Sequence, residues 1–167
     1  FGVTMELIAN NDQLIFLNSN DGYSNSSGVS MQGENQAKVD NIIGKTNYDI
    51  GHVFSTGGGG IADLQSVCDG NAKARGVTGQ NKPTGDLFDI DYVAHEMGHQ
   101  FGATHTFNTA IGACSGNGTN ISAYEPGGGS TIMAYAGSCG GDKIAAKSDD
   151  YFHAKGLGQV TKCITNI

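Results

Sequence analysis

The chain has 167 residues, of which 38% are hydrophobic and 15% are charged, and this length and composition favour one globular domain. Its 16 acidic residues outnumber 9 Lys and Arg residues, so the net charge is -7 and no basic surface is available for nucleic acid, which we exclude as a partner. No stretch approaches the roughly 18 consecutive apolar residues of a membrane span, and we expect none.

Glycine is unusually frequent, with 27 residues against 2 prolines, which predicts long, turn-rich loops. Ordering so much glycine costs backbone entropy, and disulfides offset such a cost. The 4 cysteines form no C-x-x-C pair, which disfavours a zinc ribbon or a thioredoxin-type site. We therefore expect two disulfides and a secreted, extracellular protein. Four free thiols in a cytosolic protein are the alternative, and spacing does not choose among the three possible pairings.

Hydrophobic periodicity and turn residues divide the first half of the chain into short elements. The predicted elements are, in order, strands at 3–8 and 14–17, a loop at 18–30, a helix at 35–44, strands at 48–55 and 60–68, and a polar loop at 69–87.

The second half begins with a helix that starts at Phe88 and that Gly102 ends. Residues 106–131 are mainly Gly, Ser, Asn and Thr, and a last helix is predicted after Ser148, where Asp149 and Asp150 suit a helix N-terminus. Strands and helices followed by an irregular half predict an α/β (α+β) fold, with helices packed on a sheet.

The helix that begins at Phe88 carries the strongest chemical motif in the chain. His95 and His99 are four residues apart, so both imidazoles project from one helix face and can bind one metal ion. Glu96 lies beside the first ligand, in the position of a general base. Gly102 can break the helix and bring His105 back as a third ligand, which leaves a fourth coordination position open.

Two other interpretations of the motif are weaker. The histidines can be ordinary core or surface residues, but a chance occurrence of this string is on the order of 10⁻⁵ for a chain of this composition. A purely structural zinc site usually has a fourth Cys or His, and none follows nearby in the sequence.

The string HEMGHQFGATH, followed by Ser130-Thr131-Ile132-Met133-Ala134-Tyr135, resembles the metzincin metalloproteases, whose long zinc motif precedes a Met-containing turn. The chain is most similar to the reprolysin (adamalysin) group and its secreted bacterial relatives. Thr106 departs from the Asp that follows the third His in reprolysins and from the Glu in astacins. Tyr135 matches the position of a Tyr that astacins and serralysins use and reprolysins do not.

The resemblance implies a single catalytic domain over 1–167 with a zincin-like fold. A twisted mixed sheet and helices would form an upper subdomain at 1–104, an irregular lower subdomain would follow at 105–167, and the cleft would lie between them. The first strand and helix of the family have no counterpart before residues 3–8. A propeptide is expected in the precursor.

The resemblance also implies the roles of the site residues. His95, His99 and His105 would bind one catalytic Zn²⁺, Glu96 would be the general base, and Met133 would pack under the ligands. Tyr135 would either hydrogen-bond the oxyanion or serve as a wall residue. Substrate would pair with the edge strand and contact the turn, through Gly60, Ile61, Ala62, Asp63, Leu64, Ala134, Tyr135 and Ala136.

The implied disulfides are Cys68–Cys163 and Cys114–Cys139. Oxygen atoms of the loop 18–25 and of Asp149 and Asp150 can bind Ca²⁺, although solvated turns and helix caps explain the same residues.

The predicted function is a secreted zinc endopeptidase that acts on extended polypeptides. Two alternatives stay open at this point: a catalytically silent module of the same fold that binds a protein partner, and a zinc amidase that acts on non-protein amides.

Overall fold

The protein is described by a computed structural model covering residues 2–167. Helix α1 spans Gly28–Ile42 and begins well before the predicted start at 35. The Ser27 side chain caps it by accepting the Ser30 N–H. The predicted loop at 18–30 therefore ends early. Hydrophobic periodicity missed residues 28–34, about two helical turns, because the buried positions there include Gly28 and the polar Gln32 beside the single apolar Met31.

A three-stranded mixed sheet lies in the first half of the chain. Its strands are β1 (His52–Ser55), β2 (Gly60–Ala62) and β3 (Gly76–Gly79), in the order β1-β3-β2. β1 is parallel to β3 and β2 is antiparallel to it, so β2 forms one edge of the sheet. The mixed sheet and its helices confirm the predicted fold class.

The central strand β3 was wrongly predicted as part of the loop at 69–87. Its sequence, Gly-Val-Thr-Gly, has two residues that disfavour strands. Both glycines are required by close contacts: a Cβ on Gly76 would lie 2.2 Å from Gln100 Oε1, and one on Gly79 would lie 1.7 Å from the Gly57 carbonyl oxygen. Close packing, rather than strand propensity, thus determines this sequence.

The strands predicted at 3–8 and 14–17 are wrong. Residues 3–8 have no regular structure, and a 3₁₀ turn occupies Asn11–Leu14. Leu7 is 84% exposed and Leu17 is 91% exposed, so these apolar runs do not form the buried strand that their composition predicted.

The helix that carries the zinc motif is built from three consecutive parts. It starts as α2 (Asp86–Phe88), continues as a π-helical turn (Asp89–Ala94) and ends as α3 (His95–Gln100). Gly102 follows with a φ of +87°, the left-handed conformation predicted for the break, and the Gly102 N–H bonds the His99 carbonyl at 2.8 Å.

The lower half contains little regular structure. Strands β4 (Phe107–Asn108) and β5 (Glu125–Pro126) form a two-residue parallel pair, and 3₁₀ turns occupy Gly112–Cys114 and Gly140–Asp142. The last helix, α4, spans Ala154–Ile164 and not the segment directly after Ser148. It starts later because His153 is the N-cap, with its Nδ1 accepting the Lys155 N–H, whereas Asp149 bonds back to Ser130.

The cysteines confirm one expected disulfide and contradict the other. Cys114 and Cys139 are bonded. Cys68 and Cys163 are free thiols, although they are close enough for the charge of Cys68 to raise the pKa of Cys163, in addition to the larger effect of burial. Burial also raises the pKa of Cys68.

An apolar core joins the zinc-motif helix, the Met-containing turn and α4. Its buried members are Ala103, Ile132, Met133 and Val160. This core lies directly against the segment that carries the histidines and gives that segment a rigid base. Within residues 2–167, no helix has the length and apolar character needed to cross a membrane.

Candidate metal centre

Two of the three predicted ligands are positioned by the helix itself. His95 and His99 lie one turn apart on α3. His95 Nδ1 lies 2.7 Å from the Ile132 carbonyl oxygen, and His99 Nδ1 lies 2.7 Å from the Ala103 carbonyl oxygen. A carbonyl only accepts, so each Nδ1 must carry the proton, and each Nε2 is left as an unprotonated lone pair.

The third ligand comes from the chain beyond the glycine break. His105 Nδ1 lies 2.6 Å from the Asn117 carbonyl oxygen, which fixes the same tautomer. Its Nε2 lies 3.1 Å from the Nε2 atoms of both His95 and His99. The Nε2 lone pair of His105 therefore lies at hydrogen-bond distance from those of His95 and His99 with no proton between them, and all three nitrogens lie within 4.8 Å of one another.

This arrangement fits a zinc ion. Zn–N bonds of about 2.0–2.1 Å in a tetrahedral site place ligand nitrogens roughly 3.3 Å apart, close to the observed 3.1 Å. Burial, followed by the other two histidines, lowers the pKa of His95, and burial lowers the pKa of His99 to about 4 and that of His105 as well. All three rings are therefore neutral at pH 7, the state that binds a metal. Among residues 2–167, no other cluster of three His, Cys, Asp or Glu side chains is suited to an ion.

The Glu96 carboxyl lies on the adjacent part of the helix and is only 7% exposed. Burial raises its pKa to about 8. The edge strand approaches it closely, because a Cβ on Gly60 would lie 2.3 Å from Glu96 Oε1. The absence of a side chain at Gly60 thus makes room for the Glu96 carboxyl group.

Met133 is fully buried in the core that carries the ligands. A Cβ on Gly98 would lie 2.5 Å from its sulfur, so the turn packs directly on the helix between the two histidines. Sequence reasoning had not selected Gly98. The sequence feature that could have identified it is a glycine, which has no side chain, at a helix position between two ligands.

The Tyr135 ring packs among the rings around the centre. Its centroid lies 4.6 Å from that of His105, 4.8 Å from that of Phe107 and 5.6 Å from that of His95. Burial raises its pKa, followed by the charges of Glu96 and Tyr92, so the phenol stays protonated at neutral pH and can donate a hydrogen bond.

A cleft of about 450 Å³ opens beside His95 and Glu96, which both line it. Four of the predicted substrate residues line it: Gly60, Ala134, Tyr135 and Ala136. The other four, Ile61, Ala62, Asp63 and Leu64, lie outside its lining. β2 ends at Ala62, and Asp63 forms an ion pair with Arg75 at 2.7 Å, so the structure gives Asp63 a structural role.

A larger cavity of about 540 Å³ lies under residues 5–16 and contains none of the three histidines. Because it lacks the convergent polar groups of the metal centre, we assign the chemistry to the smaller cleft.

In the loop predicted to bind calcium, Asn18 and Asp21 accept backbone N–H groups two residues on, as in ordinary turns. Calcium binding there, and at Asp149 and Asp150, stays a prediction.

Sequence reasoning missed the groups that hold the ligands in place. The carbonyl groups of Ile132, Ala103 and Asn117 have no side-chain signal, since every residue has a carbonyl. Glu125 was also missed, although its buried carboxylate accepts hydrogen bonds from Thr106 and Thr131. An isolated acid in a segment of Gly, Ser and Asn was the only available signal.

Comparisons with known proteins agree with this geometry. The family model described as "Metallo-peptidase family M12B Reprolysin-like" matches residues 1–163. A search of curated proteins gives no match to the chain.

Proposed function

Because the chain belongs to the reprolysin-like M12B metallopeptidase family, we propose that it is a secreted, zinc-dependent endopeptidase of the metzincin type that cleaves extended polypeptides. One observation supports the proposal above all others. Three unprotonated imidazole nitrogens lie within 4.8 Å of one another, two of their separations being 3.1 Å, beside a buried carboxyl group at the wall of an open cleft.

His95, His99 and His105 would hold the zinc ion through their Nε2 atoms. When bound, zinc supplies a Lewis acid that polarises the scissile carbonyl and makes water a stronger acid. The carbonyl oxygens of Ile132, Ala103 and Asn117 keep the three rings in the required tautomer and orientation.

Glu96 would act as the general base and then as the general acid. It takes a proton from the water that attacks the peptide carbon and passes that proton to the leaving amine. Its burial alone favours the protonated form, with a pKa of about 8. A dication at the histidines favours the carboxylate and so offsets the effect of burial.

Tyr135 would stabilise charge at the carbonyl oxygen. Its ring packs on His105 and Phe107, and its phenol is protonated at neutral pH because its pKa is raised. Donation from this hydroxyl to the developing oxyanion would lower the barrier.

An extended substrate would bind along the free edge of β2. Gly60 belongs both to this strand and to the cleft lining, so main-chain pairing there would bring a peptide to Glu96. We propose that Ile61, Ala62, Asp63 and Leu64 continue this edge, while Ala134 and Ala136 contact substrate side chains across the cleft.

The domain division and the location are further parts of the proposal. We propose that the cleft lies between the predicted upper subdomain, 1–104, and the predicted lower subdomain, 105–167. The Cys114–Cys139 disulfide favours an oxidising, extracellular compartment.

The decisive experiment is cleavage of casein by the purified, zinc-loaded chain. Glu96→Gln should keep zinc and lose about 10²–10⁴-fold in kcat, because proton transfer contributes that much to a hydrolytic step. Glu34→Gln is the matched control, since Glu34 lies on α1 and bonds only to Ser24 among the described residues. Its rate should equal that of the wild type.

Different outcomes identify the alternatives. A chain that binds zinc and cleaves neither casein nor a peptide library would be a binding module or an amidase, and turnover of non-protein amides would identify the amidase. Peptidase activity that survives Glu96→Gln or a chelator would contradict the proposed mechanism.

A further inference from the structure

Glu125 lies at the start of β5 and is only 7% exposed. Its Oε2 accepts the backbone N–H of Ser130 at 2.8 Å and that of Thr131 at 3.1 Å. Its Oε1 accepts the Thr106 hydroxyl at 2.5 Å and also the Thr131 hydroxyl. Four donors therefore surround one buried carboxylate.

The carboxylate is ionised without a cationic partner. Burial raises the pKa of Glu125, but the hydrogen bonds from Ser130, Thr106 and Thr131 outweigh burial and lower it. No Lys, Arg or His within residues 2–167 forms an ion pair with it. The negative charge is thus stabilised by neutral donors alone, and such charge-assisted bonds are about twice as strong as neutral ones.

The two segments that the carboxylate joins each control a zinc ligand. Thr106 follows His105 directly, and its N–H bonds the Met133 carbonyl at 3.1 Å. Thr131 precedes Ile132, whose carbonyl fixes the His95 ring. Glu125 therefore connects the backbone of the third ligand to the turn that orients the first.

We propose that Glu125 is a positioning residue that holds His105 in register with His95, so that the three Nε2 atoms converge. The inference rests on the proposed zinc site. A network that only stabilised the lower half would affect unfolding without affecting the metal centre, and the experiment separates these two roles.

Two variants weaken the network at different points. Glu125→Gln removes the charge and retains the size of the side chain. Thr106→Val removes one hydroxyl donor and leaves the bonds from Thr131 and Ser130 in place. Glu34→Gln is the control, because Glu34 also accepts a backbone N–H and a hydroxyl, those of Ser24, remote from the histidines.

The zinc dissociation constant is measured for each full chain by competition with a chromophoric chelator. Both network variants should bind zinc about 10–100-fold more weakly than the wild type, the range seen when groups that orient metal ligands are removed. Glu34→Gln should stay within about twofold. The visible absorption of the Co²⁺-substituted centre should change in the network variants and not in the control, because it reports ligand geometry.

Melting of the metal-free proteins completes the test. A lower melting temperature with zinc affinity and Co²⁺ spectrum unchanged would overturn the inference and leave a purely structural role. If Glu125→Gln does not fold, Thr106→Val decides by the same criteria. A wild-type chain that binds no zinc would overturn the proposed function itself, whereas equal affinities in wild type and variants would overturn only the role of Glu125.

Discussion

The helical segment 86–100 and the irregular segment 105–142 each supply ligands to one centre, by different physical means. The helix places His95 and His99 through its own period. The irregular segment holds His105 through particular contacts: the Asn117 carbonyl binds its ring, and the Glu125 carboxylate binds the next residue, Thr106. A disulfide, Cys114–Cys139, closes the same segment. Helical periodicity alone thus relates the first two histidines to each other, whereas the position of the third depends on a few particular contacts.

Removing the Cys114–Cys139 disulfide should give the largest stability effect and tests the dependence of the lower segment on single contacts. The bond closes a loop with a sequence separation of 25. On the chain-entropy model, Cys114→Ser with Cys139→Ser should lower the free energy of unfolding by about 3.5 kcal/mol, measured by urea denaturation.

Cys68→Ser is the matched control, because Cys68 is a free and exposed thiol. It should leave the urea midpoint nearly unchanged. A loss as large as that of the double variant would show that Cys68 is bonded in solution, contrary to the structure.

The upper half should respond to pH through His52. Its Nδ1 lies 2.7 Å from Gln100 Oε1 and its Nε2 lies 2.8 Å from the Thr78 hydroxyl, and burial lowers its pKa from 6.5 to about 4. Between those values the unfolded chain binds more protons than the folded one. Stability is therefore full above pH 6.5, falls as the pH decreases toward 4, and levels off below it.

The loss from His52 should reach at most about 3.5 kcal/mol, from a pKa difference of about 2.5 units at roughly 1.4 kcal/mol for each unit. It is measured as the difference in unfolding free energy between wild type and His52→Gln across this range, which cancels the other titrating groups. If the unfolding free energies of the two proteins changed equally with pH, the role assigned to His52 would be contradicted.

Gly60→Ala should separate activity from stability. The added Cβ would lie 2.3 Å from Glu96 Oε1, the mobile end of a side chain, so the carboxyl group must move while the backbone need not. We expect kcat to fall about tenfold, equivalent to about 1.4 kcal/mol, with zinc content and melting temperature unchanged. An unaltered kcat would show that the position of Glu96 is not critical.

The smallest effect is expected in α1, remote from the centre. Gly33 is exposed, and a Cβ there would meet nothing within 4 Å. Gly33→Ala should stabilise the protein by about 0.5–1 kcal/mol, because alanine loses less backbone entropy in a helix. Thermal unfolding measures the change, and a destabilised variant would argue against the helix start at Gly28.

The contrast between the helical and the irregular segment also explains which features could be predicted from the sequence. Helical spacing and one glycine break were sufficient to identify His95, His99, His105 and Glu96 as candidates, because those positions follow from backbone geometry. The start of α1 was missed because Met31 is the single apolar side chain among its buried residues. β3 was missed because two glycines replace the usual strand residues.

The other features that the sequence did not predict depend on contacts between residues far apart in the chain. Glu125 acts through Thr106 and Thr131, and the pairing of distant segments is not recorded in local patterns. The Cys68–Cys163 pairing came from resemblance alone, and the structure has two free thiols there. The Cys114–Cys139 pairing came from the same source and is present.

The most direct test of the metal centre is X-ray absorption at the zinc edge of the loaded chain. We predict three imidazole nitrogens at about 2.0–2.1 Å and one further light atom. A sulfur ligand at about 2.3 Å, which the free thiols of Cys68 or Cys163 could supply, or fewer than three imidazoles, would contradict a centre built by His95, His99 and His105.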